Sequence, residues 1–226
     1  MEILTFILEN IYVKFGNKIF KQVIGIPIGL DSGQDIANLL LYGYESDYVE
    51  KTSKQDIVLA RKFKFCFRYI DDLFVANFQT FRQHIHKIYP RELEVTLASV
   101  DCKKVSYLDL NIISENSRLT FSIYDKREDF DFEIVNFPYL DSCVPKKSAF
   151  GVFFSQLIRY ARLCSKFIDF KIKSKNLSKK LQNQGFLFKD LKKLTLRFFR
   201  EKQDLLINYN IRDQSTFVRE ILESPN

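Results

Sequence analysis

Apolar residues recur at helical spacing from the start of the chain, where Ile3, Leu4, Ile7, Leu8 and Ile11 predict a short amphipathic helix. Tyr12-Val13-Lys14-Phe15 and Lys18-Ile19-Phe20-Lys21 then flank Gly16-Asn17, a two-residue hairpin signal. After Gly25-Ile26-Pro27-Ile28-Gly29, the run Ser32-Gly33-Gln34-Asp35 reads as a capping box. It opens a helix through Ala37-Asn38-Leu39-Leu40-Leu41 toward Lys51. Further on, Phe63, Phe65, Phe67 and Tyr69 alternate with Lys62, Lys64, Cys66 and Arg68, which predicts a half-buried strand. Leu73-Phe74-Val75-Ala76 is its return strand, leaving Ile70-Asp71-Asp72-Leu73 as the hairpin tip. A helix near residues 80–89, a strand at Leu93–Leu97 and a hairpin of Tyr107–Ile113 with Leu119–Tyr124 follow.

Beyond Pro138 and Pro145 the period becomes helical to the end. Phe153, Leu157, Ala161, Cys164 and Ile168 form one apolar stripe, with Arg159, Arg162 and Lys166 off it as neighbours on one helix side. Gly185 closes a second short helix, a third spans about Phe188–Asn208, and Ser215 caps a last one. The pattern is a mixed α+β part to residue 145 joined to a helical part, 146–226. Seven Gly among 226 residues agree with that helix-rich reading, since average usage would give roughly sixteen. Aromatics such as Phe153 and Phe198 fall on or near apolar stripes and read as core.

Charge divides the same chain differently. Residues 151–202 hold fourteen Lys/Arg and three Asp/Glu, a balance of +11, whereas the whole chain is only +7. An excess that concentrated points to a polyanion, nucleic acid before a merely solvated face. The first nine residues include two acids and no basic residue, unlike a signal peptide, and no run of eighteen apolar residues would span a membrane. Cys66, Cys102, Cys143 and Cys164 lie far apart, which suits free buried thiols in a reducing compartment. A soluble, intracellular protein is expected. His84 and His86 sit two apart in a helical stretch, on different faces, so they do not form a metal pair.

The candidate chemistry lies at the hairpin tip. Adjacent acids there repel unless a cation sits between them, and hard carboxylate oxygens suit Mg²⁺ alongside substrate phosphates. Asp71-Asp72 alone also fits a solvated turn. The context decides for chemistry: Phe67-Arg68-Tyr69-Ile70-Asp71-Asp72-Leu73-Phe74-Val75 resembles the Y-x-D-D hairpin of reverse transcriptases. Upstream, Gln22-Val23-Ile24-Gly25-Ile26-Pro27-Ile28-Gly29 followed by Ala37-Asn38-Leu39 resembles that family's second palm motif. Downstream, Tyr107-Leu108-Asp109-Leu110 resembles its primer-grip region. Tyr124-Asp125-Lys126-Arg127, Val135-Asn136-Phe137-Pro138 and Ser155-Gln156-Leu157-Ile158-Arg159-Tyr160-Ala161-Arg162 resemble the thumb of Penelope-like retroelement polymerases, relatives of telomerase.

The resemblance implies a right-hand palm in residues 1–145 and a thumb-like region in 146–226. It also implies DNA synthesis on an RNA template from a DNA primer and dNTPs, two Mg²⁺ ions, and a nuclear location. Asp71 and Asp72 become the metal-site carboxylates, Tyr69 touches primer end or nucleotide, and Gln22 and Gly25 line the nucleotide pocket. Lys103 falls where the family often places a lysine near the triphosphate, or is a solvated loop residue. Arg159, Arg162 and Lys166 would meet phosphates. Two departures follow. The first palm motif, with its further aspartate, and the fingers are expected in a missing N-terminal segment, so this chain alone is expected to be inactive. Leu30-Asp31-Ser32 also lacks the family's usual proline before the helix. The alternatives are a non-catalytic nucleic-acid-binding relic and a structural domain with no nucleic-acid partner.

Overall fold

A computed structural model describes residues 2–26, 29–98, 103–132 and 134–222. The chain is α+β and divides into two compact units, Met1–Leu97 and Ala98–Asn226. This boundary falls at 97/98 rather than at 145, because the sheet of the second unit packs on that unit's helices.

The first unit begins with α1 (Glu2–Glu9) and the hairpin β1 (Tyr12–Phe15) and β2 (Lys18–Lys21). Phe15 pairs with Lys18 across Gly16, which takes φ +60°. α2 (Gly33–Gln55) starts after Ser32, whose side chain makes no capping bond, so the expected capping box is absent. Asp56 ends α2 and opens α3 (Ile57–Lys62), its carboxylate accepting from the amides of Val58 and Leu59. Phe63–Phe65 then form a 3-10 turn, and only Cys66–Tyr69 form a strand, β3. The strand expected from Phe63 is thus shortened. Phe63 instead turns into a small core with Phe78, Phe81, Ile88 and Tyr89, meeting Phe78 edge-on at 5.0 Å. β4 (Asp72–Val75) pairs antiparallel with β3, and α4 (Arg82–Ile88) follows. Leu93–Leu97 is irregular, not the expected strand, and Leu93, Val95 and Leu97 are exposed.

In the second unit β5 (Lys104–Tyr107), β6 (Leu110–Glu115) and β7 (Arg118–Ile123) form one antiparallel meander. β5 has no counterpart in the sequence reading. Its return turn, Leu108-Asp109, puts an aliphatic at φ +53°, where no Gly or Asn signals a turn. Helices α5 (Lys146–Leu163), α6 (Phe167–Asn183), α7 (Phe188–Glu201), α8 (Gln203–Leu206) and α9 (Gln214–Ile221) complete the unit. The single helix expected over 188–208 is broken at Lys202. Asp213 rather than Ser215 caps α9, accepting from the Thr216 amide. Gly185, at φ +89°, follows the end of α6 as expected.

Phe153, Leu157, Phe170, Leu181, Leu191, Phe198, Phe217 and Ile221 are the fully shielded centre of this unit's core. Phe170, Phe198 and Phe217 lie with near-parallel rings about that centre. Ser165 locks the sheet to the helices by exchanging bonds with Phe121: its amide donates to the Phe121 carbonyl at 2.8 Å, and its hydroxyl oxygen accepts from the Phe121 amide at 2.9 Å. Ile168, expected on the α5 stripe, belongs to α6 and is 51% exposed. Cys164 is buried, but Cys143 is exposed rather than a buried thiol; Cys102 lies outside the described residues.

A charged turn beside β7 carries a pH dependence. Asp125 accepts from Arg127 Nε at 2.7 Å and Nη2 at 2.8 Å. Arg127's side-chain bond thereby holds the Asp125 carboxyl below the usual range, despite partial burial. A depressed carboxyl stabilises the fold fully above its unfolded value, about 3.9, and that contribution disappears as pH falls through the lowered native value. Acid unfolding midpoints should therefore fall less steeply below about pH 4 in Asp125→Asn than in wild type. Parallel curves would assign the acid limb to other carboxyls.

Candidate metal hairpin and basic helix face

The hairpin β3–β4 pairs Tyr69 directly with Asp72, so its two loop residues are Ile70 and Asp71. The strained position is therefore Ile70, at φ +52°. A β-branched residue in the left-handed region costs about 1–2 kcal/mol. Asp72 is the first residue of β4.

Both carboxylates are exposed, and neither makes an ion pair or a side-chain hydrogen bond among the described residues. Exposed, unpaired, hard oxygen donors fit Mg²⁺, which is typically held by one or two carboxylates plus substrate phosphates. No third His, Cys, Asp or Glu completes a cluster with them among the described residues. Tyr69, 54% exposed, stands beside Asp72, and Phe67 at 50% stacks on Phe74 at 6.3 Å.

The faces of β3 are the reverse of what its aromatics suggest: Phe67 and Tyr69 are outward, Cys66 and Arg68 inward. Arg68 can turn inward, half-buried, because all three nitrogens of its guanidinium find acceptors. Nε donates to Glu45 Oε1 at 2.7 Å, and Nη1 donates to Asn38 Oδ1 at 2.7 Å and to the Ile70 carbonyl at 3.2 Å. Nη2 donates to the Asn38 carbonyl at 3.2 Å. Tyr89 adds a bond to Glu45 Oε1 at 2.6 Å. The sequence reading missed this network. Asn38 and Glu45 lie seven apart on one helix face, but the aromatics of β3 assign Arg68 outward, so the sequence carries no signal for the pairing.

Gln22 and Gly25 are brought together. Gln22 Nε2 donates to the Ile24 carbonyl at 3.1 Å and lies 3.6 Å from where a Cβ on Gly25 would stand. Gly25 takes φ +88°, which a side chain would disfavour. Lys103 is exposed in the second unit, and its carbonyl accepts from the Ser114 amide at 2.7 Å.

The basic trio is regrouped. α5 ends at Leu163 and Lys166 precedes α6, so Arg159, Arg162 and Lys166 do not share one helix. Arg159 Nη2 is 2.6 Å from Asp109, and Lys166 lies 3.9 Å from Glu115; Arg162 is exposed and has no ion pair among the described residues. Lys171 and Lys173 likewise pair with Glu220 and Glu128, so acids from outside 151–202 offset part of its +11. The densest exposed cations stand on α7, where Lys189, Lys192, Lys193, Arg197 and Arg200 oppose the buried Leu191, Thr195 and Phe198. Asp190 and Glu201 partner Lys193 and Arg197, leaving Lys189, Lys192 and Arg200 without ion pairs among the described residues.

His84 Nδ1 shares a 2.6 Å hydrogen bond with the Tyr48 hydroxyl. No helix among the described residues is long and apolar enough to cross a membrane. Comparison with protein-family models, with curated proteins and with solved structures finds no match.

Proposed function

We propose that this chain is part of an RNA-directed DNA polymerase of the Penelope-like reverse-transcriptase kind, acting on an RNA template, a DNA primer and dNTPs in the nucleus. The observation that carries the reading is the turn Tyr69-Ile70-Asp71-Asp72, which presents two exposed, unpaired carboxylates from an anchored hairpin. Asp71 and Asp72 would hold Mg²⁺, with Tyr69 beside the primer end or nucleotide and Gln22 and Gly25 at the nucleotide pocket. When bound, Mg²⁺ supplies charge neutralisation at the transferring phosphoryl group. The palm part, residues 1–145, then extends past the first compact unit into the sheet of the second, and 146–226 serve as the thumb-like part.

The test is a Mn²⁺ titration of the full chain followed by NMR. Paramagnetic broadening confined to the amides of residues 70–73, and absent in Asp71→Asn, is the expected result. Broadening elsewhere, or none, overturns the reading.

The α7 face favours a second reading, a nucleic-acid binder without catalysis. On either reading, binding to an RNA–DNA hybrid should weaken with salt, each phosphate contact adding roughly −0.9 to the log–log slope. Replacing Lys189, Lys192 and Arg200 together by Ala should flatten that slope by up to about three such units and weaken all sequences alike. Equal slopes would make α7 only a solvated face.

A further inference from the structure

We propose that Arg68 is the positioning residue of the Asp71–Asp72 turn, with Asn38 and Glu45 of α2 as the groups that aim its guanidinium and absorb its charge. The proposal rests on the metal-binding reading of the turn. A comparison within the chain carries it. Two turns are built alike, Tyr69-Ile70-Asp71-Asp72 and Tyr107-Leu108-Asp109-Leu110, each with an aliphatic at positive φ, +52° and +53°, followed by an aspartate. In the second, Arg159 reaches the aspartate directly at 2.6 Å and neutralises it.

In the first, an arginine stands just as near the turn, yet its donors go to Glu45, to Asn38 twice and to the Ile70 carbonyl. None goes to Asp71 or Asp72. The peptide carbonyl it holds is the one that joins Ile70 to Asp71, so the bond fixes the plane from which Asp71 departs. A strained turn residue keeps its conformation only where surrounding contacts over-determine it, and this clamp supplies those contacts.

Charge points the same way. Arg68 is 11% exposed in its side chain and Glu45 27%. A largely shielded guanidinium beside a divalent cation would repel it unless a counter-charge were at hand. Glu45 is that counter-charge. Tyr89 keeps the carboxylate in place, its hydroxyl remaining a donor because burial and Glu45 push the phenol well above its usual range. The clamp thus supplies geometry to the carboxylates without adding net charge beside them.

The test measures Mn²⁺ affinity of the full chain, by NMR broadening of residues 70–73, in wild type, Arg68→Gln, Arg68→Lys, Glu45→Gln and Asn38→Ala. The resonances of Phe63, Phe78 and Phe81 report whether the fold persists. Arg68→Gln and Glu45→Gln should each weaken Mn²⁺ by about tenfold or more, the usual cost of removing a group that orients a ligand. Arg68→Lys should recover only part, since a lysine can pair with Glu45 but cannot hold Asn38 and Ile70 together. Folded variants with wild-type affinity would overturn the proposal. If either glutamine variant loses the fold, Asn38→Ala, which leaves the ion pair intact, decides by the same criterion. Absence of broadening in wild type overturns the metal reading itself. Amide exchange at Asp71 then judges the clamp separately: faster exchange in Arg68→Gln supports it, and unchanged exchange refutes it.

Discussion

Replacing Phe198 by Ala is expected to destabilise the second unit by about 3–5 kcal/mol, the range for truncating a buried aromatic. Phe198 is wholly buried. Its ring lies 6.3 Å from Phe170 and 6.1 Å from Phe217 in near-parallel stacks, and 6.0 Å from Phe154 edge-on. Truncation removes contacts on three sides at once, and helices from different parts of the unit cannot all collapse into the gap. Since whole domains are stable by only about 5–15 kcal/mol, one such change leaves little in reserve. The measurement is the urea midpoint at constant slope. Phe198→Leu, which keeps more of the volume, should cost less. A shift under about 1 kcal/mol for Ala would mean that the stack is not the centre of this core.

The second large effect concerns chemistry. In any preparation where this chain extends a primer on RNA, alone or with another polypeptide, Asp71→Asn should lower the rate by at least about 10²–10³-fold, as loss of one preorganised electrostatic contact does. Asn keeps the shape and removes the charge that would hold the metal. The folded protein should tolerate the change, because Asp71 is exposed and has no partner among the described residues, and removing its charge relieves repulsion from Asp72. Primer extension at fixed Mg²⁺, with the unfolding curve of the same sample, checks both halves. An Asp71→Asn enzyme of normal rate would remove these carboxylates from the mechanism.

Local pattern made some of this legible and long-range contact hid the rest. Gly16-Asn17 marks the first hairpin to the residue, because its chemistry is local and the strands on either side leave nothing else to decide. The α5 stripe of Phe153, Leu157 and Ala161 is legible for the same reason, a period of one helix. Turns at Ile70-Asp71 and Leu108-Asp109 are different, because an aliphatic in the left-handed region carries no local signal. Both lie in motif resemblances, but only the first motif is itself a hairpin; the second turn concealed β5. On the site, the exposed tip at Asp71 and Asp72 was legible, whereas the inward face of β3 was not. Arg68 is held inward by partners at separations of 23 and 30 residues, which no periodicity can reveal. The basic trio failed through one helix boundary at Leu163, and four acids distant in sequence took up charge that a running sum leaves unpaired.

On the proposed metal-binding reading, the conformation of Ile70 sets stability and activity against each other at a single codon. Gly or Asn would occupy φ +52° with less strain, so a library at position 70 screened only for resistance to heat or protease should enrich those two. The same library, screened for what the neighbouring aspartates do, has no reason to agree. A floppier turn relaxes the peptide that Arg68 grips and widens the directions open to Asp71. Divergent winners from the two screens would mark Ile70 as a residue kept for rigidity at the expense of comfort, and convergent winners would mark it as an accident of descent.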